Sequence, residues 1–560
     1  MTFKDYPYSR PELEDFKADA QEVFNQMDDA QTKEDLLSAI KTYIEETKQL
    51  LTMQTLAQIR NSIDTRDEFY DAEIAYWDEN GPFVEEVNNV YYQKLMAHPL
   101  LDSIKDEFPT TYFQLIENTL RVFDPKIIKD LQAENKLTTE YTKLIASAQI
   151  EFDDKTLTLA QMRPYNEHKD RNIRQSASNK VWAWFEEHEN EFDEIFDSLV
   201  KVRTQMAHKL GFESFTEMGY ARMQRLDYNQ EMVANYRKQV LEDVVPIANK
   251  LYQRQAERLQ VDKLAYYDVP LQFLDGNATP IGSFEDTIQT GKEMYHDLSA
   301  ETSEFIDHMI DNELLDLIAK PGKQSGGYMT YLYDFESPFI FSNFNGTSGD
   351  VDVLTHEAGH AFQGYQSRHI QIPEVHMPTY EACEIHSMSM EFITWRYMDK
   401  FFGDQADKYR FAHLSDALEF LPYGVLVDHF QHEVYNNPDM TPDERKATWK
   451  KLDAQYRPHY DFSDNEFADK GTWWYRQGHI FQSPFYYIDY TLAQVCAFQF
   501  WKRFNIDKDP EAWNDYLAIC KVGGTQSFLE IVKTANLLSP FEDGTLKAII
   551  GDIDTWLEQH

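Results

Sequence analysis

The sequence predicts a mainly α protein: one large helical body with a little sheet at its centre, lying close to the one strong motif. Three observations predict it. Apolar residues recur at helical spacing over roughly the first 140 residues, again from Asn172 to about Met218, and over nearly everything beyond Thr379. Strand character is confined to two regions, 150–159 and 328–344. No fixed-period repeat or low-complexity linker breaks the chain, and 42% hydrophobic residues in a chain of 560 can bury a sizeable core.

In chain order, Ser9 and Pro11 open the first helix, and Leu13, Phe16, Ala20, Val23, Phe24 and Met27 form its stripe. The acidic stretches 64–79 and 85–93 read as solvated helix faces. Ile150 and Phe152 alternate with acids, Asp153-Asp154-Lys155 can turn, and Leu157 and Leu159 alternate again, which is a hairpin pattern. Helical patterning resumes through Trp182, Phe185, Phe192, Ile195 and Leu199. Clusters of Pro, Gly and Asn at 275–282 and 321–327 punctuate the chain. Then Tyr328–Tyr333 and Phe339–Phe344 have strand composition, and Asn345-Gly346 turns the chain into a helix for which Gly349-Asp350 offers an N-cap. Two domains are expected: an N-terminal helical lobe over 1–200 that carries the hairpin, and a helical catalytic lobe over 201–560.

Composition narrows the function classes. Lys and Arg number 53 against 96 Asp and Glu, a net charge of −43. Such a surface repels phosphate backbones and anionic lipid, so neither nucleic acid nor membrane is an expected partner. Three cysteines, Cys383, Cys496 and Cys520, make no disulfide framework and suit a reducing compartment. The opening Met1-Thr2-Phe3-Lys4-Asp5 has no apolar leader, and no stretch approaches 18 apolar residues. A soluble, cytoplasmic protein is expected.

Thr355-His356-Glu357-Ala358-Gly359-His360 contains H-E-x-x-H. Positions four apart share a helix face, so His356 and His360 can aim two imidazoles at one metal, and Glu357 can address a water bound there. Leu354, Ala358, Ala361, Phe362 and Tyr365 form the apolar stripe of that helix, leaving the histidines off its centre. A zincin needs a third protein ligand. Gln363 and Gln366 stand where a metzincin has glycine and histidine, which excludes that class. Farther on, His369, Glu374 and His376 lie in a segment broken by Pro373 and Pro378, a poor rigid platform. Glu381 and Glu384 sit on the next helix, where Glu384 and Glu391, seven apart, share a face. Glu384 would bind metal and Glu391 would support it, or serve as an ordinary salt bridge. Asp352 could orient an imidazole or simply place charge at a helix N-terminus. His429-x-x-His432-Glu433 lacks the inverted H-x-x-E-H order and reads as ordinary helix, and Cys383 is expected to pack behind the ligand. By composition alone the segment Gly478 to Tyr490, with Pro484 opening a helix and Tyr486, Tyr487 and Tyr490 following, is aromatic core.

Taken together, His356-Glu357-Ala358-Gly359-His360 and Glu384 within Glu381-Ala382-Cys383-Glu384-Ile385-His386-Ser387-Met388 resemble the thimet oligopeptidase and oligoendopeptidase F family of zinc peptidases. The likeness is greatest to the oligoendopeptidase F and Pz-peptidase branch. A Gly-Gly-Tyr segment, an Asn-Gly turn and a late His…Phe-Tyr-Tyr-x-x-Tyr stretch carry it, most strongly over 325–501. The resemblance implies a two-lobed helical zincin with a deep internal channel, a small β-sheet beside the motif helix, and cleavage of short peptides. It implies one Zn2+ per chain held by His356, His360 and Glu384, with Glu357 as catalytic base. His479 and Tyr490 would donate hydrogen bonds to the scissile carbonyl or its neighbours, with Tyr486 or Tyr487 sharing that role; this reverses the compositional reading of the segment. Gly326 and Gly327, before the strand at 328, would let an extended substrate approach, or form a plain hinge.

The expected activity is therefore zinc-dependent endopeptidase hydrolysis of short oligopeptides, with Glu357 as general base. The alternatives are a peptidyl-dipeptidase or carboxypeptidase of the same helical type, and a peptide-binding helical scaffold with an idle metal site.

Overall fold

The computed structural model describes residues 1–159, 161–320, 322–324 and 326–560, side chains at 78, 143 and 146 aside. The chain forms two compact units that interleave along the sequence: unit 1 is Met1–Pro125, Thr279–Asp404 and Cys496–Leu537, and unit 2 is Lys126–Ala278, Gln405–Val495 and Leu538–His560. Position 200/201, where the sequence suggests a boundary, lies inside the unit 2 helix Glu189–Leu210. Both units are built of helices. Among the described residues no helix is long and apolar enough to cross a membrane.

Unit 1 opens with the helices Leu13–Asp29, Lys33–Ile63 and Glu68–Ala97. Phe16, Ala20, Val23, Phe24 and Met27 are buried, as their spacing predicts. The second helix is fixed by a capping box: Thr32 accepts from the Asp35 backbone, and Asp35 accepts from Thr32 N–H. These helices bury a core of Val23, Met27, Leu36, Ile40, Tyr91, Leu95 and Tyr112 that also takes in Val375, from the segment just past the motif helix.

Unit 2 carries the hairpin: β1 (Ile150–Phe152) pairs antiparallel with β2 (Lys155–Leu157), and Asp153 and Asp154 turn it with positive φ. The remaining strands are in unit 1, β3 (Leu315–Ile318), β4 (Tyr328–Leu332) and β5 (Ser337–Phe344). Their order is β3-β5-β4, with β5 parallel to β3 and antiparallel to β4, Tyr328 opposite Phe341. The central strand β5 is almost wholly buried, which explains its unbroken apolar run. The short β3, Leu-Asp-Leu-Ile, alternates over only three residues, too few to stand out by pattern from the helix before it.

From β5 the chain passes through Asn345-Gly346, with Gly346 at φ +89°, into the helix Gly349–Gln366. Asp350 is not its N-cap. It lies in the first turn, and its carboxylate accepts from the backbone N–H of Asn345 at 2.8 Å and Gly346 at 2.7 Å, tying turn to helix. Burial raises its pKa, opposed by those two bonds. This motif helix packs on the following helix Tyr380–Ile393.

Candidate active site

Gly359, the glycine of the motif, decides how close these two helices come. A Cβ there would lie 2.6 Å from the His386 carbonyl oxygen and 2.6 Å from Ser387 Cα. Backbone cannot yield as a side chain can, so only glycine permits the approach. The approach brings Glu384 to the histidines. Glu384 Oε2 lies 3.4 Å from His356 Nε2 and 3.4 Å from His360 Nε2. The three ligand atoms lie within 4.8 Å of one another. A tetrahedral ion with bonds of about 2.1 Å puts neighbouring ligand atoms about 3.4 Å apart, so two imidazoles and a carboxylate at these spacings fit zinc.

The supports fit as well. His356 Nδ1 meets Glu391 Oε1 at 2.6 Å, which orients the ring, and Ser387 Oγ donates to Glu384 Oε2 at 3.0 Å. Burial opposes charge on His356, but the bonds to Glu384 and Glu391 outweigh it and raise its pKa well above the ordinary value. Burial likewise opposes charge on Glu384, and the His360 and His356 contacts outweigh it and hold its pKa well below. Glu357, next to His356 and 8% exposed, has its pKa raised chiefly by burial, the environment of a base that can take a proton.

The other ligand candidates are engaged elsewhere. Glu374 accepts from Tyr92 at 2.8 Å, Glu381 from Thr379 at 2.9 Å, and the His376 ring packs on Tyr331 with centroids 4.0 Å apart. His429 and His432 bond Tyr456 and Tyr220, and Cys383 donates weakly to the Pro378 carbonyl. Gly326, at φ +95°, and Gly327 precede β4, and a Cβ on Gly327 would lie 3.3 Å from the Phe341 carbonyl and 3.7 Å from Glu357 Oε1. The missing side chain thus leaves room beside the motif glutamate.

In unit 2 the segment 478–490 gathers four rings. His479 lies 5.7 Å from Tyr486, 4.9 Å from Tyr487 and 5.7 Å from Tyr490, centroid to centroid, and Tyr490 Oη is 3.4 Å from His479 Nε2. Tyr486 packs on Tyr490, whereas Tyr487 lies against Phe420 and Tyr423. Pro484 does not open a helix. It lies in a turn closed by Tyr486 N–H to the Ser483 carbonyl, Phe485 takes φ +69°, and the helix runs Tyr487–Trp501. Buried arginines clamp the segment: Arg203 donates to the Ile480 and Phe481 carbonyls, and Arg225 to the Phe485 carbonyl and, at 3.0 Å, to Asp489. Sequence reading missed both arginines, because nothing local marks a charge that a distant backbone will need.

A helical chain whose H-E-x-x-H helix faces a glutamate on the next helix has the fold and donor set of the helical zincin metallopeptidases. The comparisons agree. The model described as Peptidase M3 N-terminal domain matches residues 3–123 and that described as Peptidase family M3 matches residues 165–550, so the chain belongs to peptidase family M3. A solved structure of Pz peptidase A with inhibitor 2 is similar at 52% identity, with 100% of this chain and 99% of that one covered and a TM-score of 0.96. The oligoendopeptidase F homologue of Lactococcus lactis subsp. lactis is 23% identical over 66% of this chain, and that of Borreliella burgdorferi 23% over 70%. The matches span 61% of the Lactococcus protein and 69% of the Borreliella one.

Proposed function

We propose that this chain is a metal-dependent oligopeptidase that hydrolyses internal bonds of short peptides, using one zinc ion held by His356, His360 and Glu384. The convergence of those three donor atoms beside Glu357, in a chain of peptidase family M3, carries the reading. A zinc ion there supplies Lewis-acid chemistry, making water a stronger nucleophile near neutral pH and polarising the scissile carbonyl. Glu357 takes the proton of the attacking water and delivers it to the departing amine. Glu391 holds the His356 ring in place, and Ser387 orients Glu384. The space beside Gly327 admits an extended substrate backbone next to β4. By the family resemblance, His479 and Tyr490 would donate to the carbonyl oxygen as it gains charge, with Tyr486 and Tyr487 around them. A deep internal channel, as the family resemblance implies, would keep folded proteins out. Three free cysteines suit a reducing, cytoplasmic setting.

The test is a quenched fluorescent peptide blocked at both ends, incubated with the purified chain with and without chelator, alongside metal analysis. Expected are chelator-sensitive internal cleavage and one zinc per chain. A zinc-loaded protein that leaves the blocked peptide intact would overturn the endopeptidase reading.

A further inference from the structure

A chain of side chains in unit 2 reaches His479 from behind. Tyr423 Oη donates to Gln477 Oε1 at 2.8 Å, Gln477 Nε2 lies 2.8 Å from His479 Nδ1, and His479 Nε2 lies 3.4 Å from Tyr490 Oη. Packing fixes the first member. Tyr423 sits in the helix Ala406–Asn436 beside Gly424, where a Cβ would lie 2.2 Å from Thr491 Cγ2, so glycine alone lets this helix press on Tyr487–Trp501. Burial pushes the Tyr423 phenol up to about 12, so it keeps its proton and donates. An amide oxygen occupied by that phenol leaves the amide nitrogen for the imidazole. Neutral imidazole has one donor and one acceptor nitrogen, so accepting at Nδ1 puts the proton on Nε2.

We propose that Gln477, oriented by Tyr423, is a positioning residue that fixes His479 as the Nε2–H tautomer, so that the neutral ring donates toward Tyr490 and the substrate carbonyl. The proposal rests on the roles given above to His479 and Tyr490. At 3.4 Å the bond to Tyr490 is long, as such bonds are before substrate draws them in. A donor on a neutral ring persists to alkaline pH, whereas an imidazolium donor would be lost there. Among the described residues Tyr486, Tyr487 and Tyr490 face His479, and the charged and titratable groups near Tyr423 are Arg457, over its ring at 4.9 Å, Arg476, Asp453 and Tyr460.

Gln477→Glu tests this with almost no change of size. A carboxylate only accepts, so it draws the neutral ring to Nδ1–H, and Nε2–H then exists only in the imidazolium. The expected result in the zinc enzyme is a new alkaline limb: kcat falls about 100-fold at high pH, the loss of one such donor, while KM stays within about 2-fold, and the deficit shrinks as pH falls. Were the amide turned the other way, the wild type would already hold Nδ1–H, and Gln477→Glu would keep the wild-type profile; that outcome overturns the proposal. A second readout needs neither metal nor turnover. In 15N-histidine-labelled protein, with the His479 signals identified by their absence in His479→Asn, the wild type should show the Nε2–H pattern. Tyr423→Phe, which releases the amide, should show mixed tautomers, and this arm serves if Gln477→Glu misfolds. A wild-type Nδ1–H pattern overturns the assignment. If the wild type cleaves no peptide, the oligopeptidase reading falls while the 15N pattern still decides the tautomer.

Discussion

Glu357 and Glu384 are both buried carboxylates one helix apart, yet their surroundings give them opposite tasks. Glu384 lies between two imidazoles and stays ionised, whereas burial raises the pKa of Glu357. Glu357→Gln should therefore retain about one zinc per chain and lose at least about 100-fold in kcat. Metal analysis and peptide turnover on one preparation check both halves, and full turnover would remove the glutamate from its assigned role. Glu384→Ala should instead strip the metal, leaving the two histidines as a weak bidentate site. Gly359→Ala separates packing from chemistry, because it touches no reacting atom. It forces the motif helix away from the His386–Ser387 backbone, so we expect weaker metal retention together with a lower melting temperature. Normal zinc content in that variant would show that the helices can part without moving Glu384.

At the scale of elements, the motif helix was legible because two periodic signals coincide in it: the stripe of Leu354, Ala358, Ala361 and Phe362 is buried, and the histidines lie beside it. The seven-residue spacing of Glu384 and Glu391 put both on one face, and both side chains reach His356. Less legible were features set by tertiary contact. Strand β3 is four residues long and exists because β5 offers it a parallel partner. Asp350 looked like a cap and instead serves the turn, and Pro484 looked like a helix start and instead sits in a turn held by Arg225. That clamp has a testable cost. Arg225 and Asp489 are both fully buried, and burial pushes Asp489 up to about 7 even beside its arginine. Arg225→Met leaves the carboxylate without its cation, a loss of about 3–5 kcal/mol while it is ionised. Protonation relieves that loss, so the gap in melting temperature between wild type and variant should widen from pH 6 to pH 8. A gap independent of pH would mean that the arginine acts by packing alone.

For the whole molecule, buried neutral histidines withdraw stability in acid well before the surface carboxylates titrate. Burial pushes His376 and His432 down to about 4 and His459 down to about 2. The unfolded chain returns each to about 6.5, so below that pH it binds protons that the native protein refuses. Each folded pKa lies under its unfolded value. The stability is therefore whole above pH 6.5 and drains as pH falls toward the folded pKa, at about 1.4 kcal/mol per unit per histidine. From pH 7.5 to 5.5 the three together remove about 4 kcal/mol. Other groups act in the opposite direction: protonating surface carboxylates relieves the repulsion of a net charge of −43 but begins near pH 5, whereas Asp489, pushed up to about 7, and His356, raised well above its ordinary value, add stability within the window as pH falls and offset part of this loss. Melting curves of chelator-treated protein exclude the metal from the comparison. His459→Phe then isolates one member, because a phenyl ring can keep the stack on Tyr252, whose ring lies 3.5 Å from that of His459, and cannot titrate. The variant should lose stability over this window by about 1.4 kcal/mol less than the wild type. Equal losses would assign the acid sensitivity to other groups.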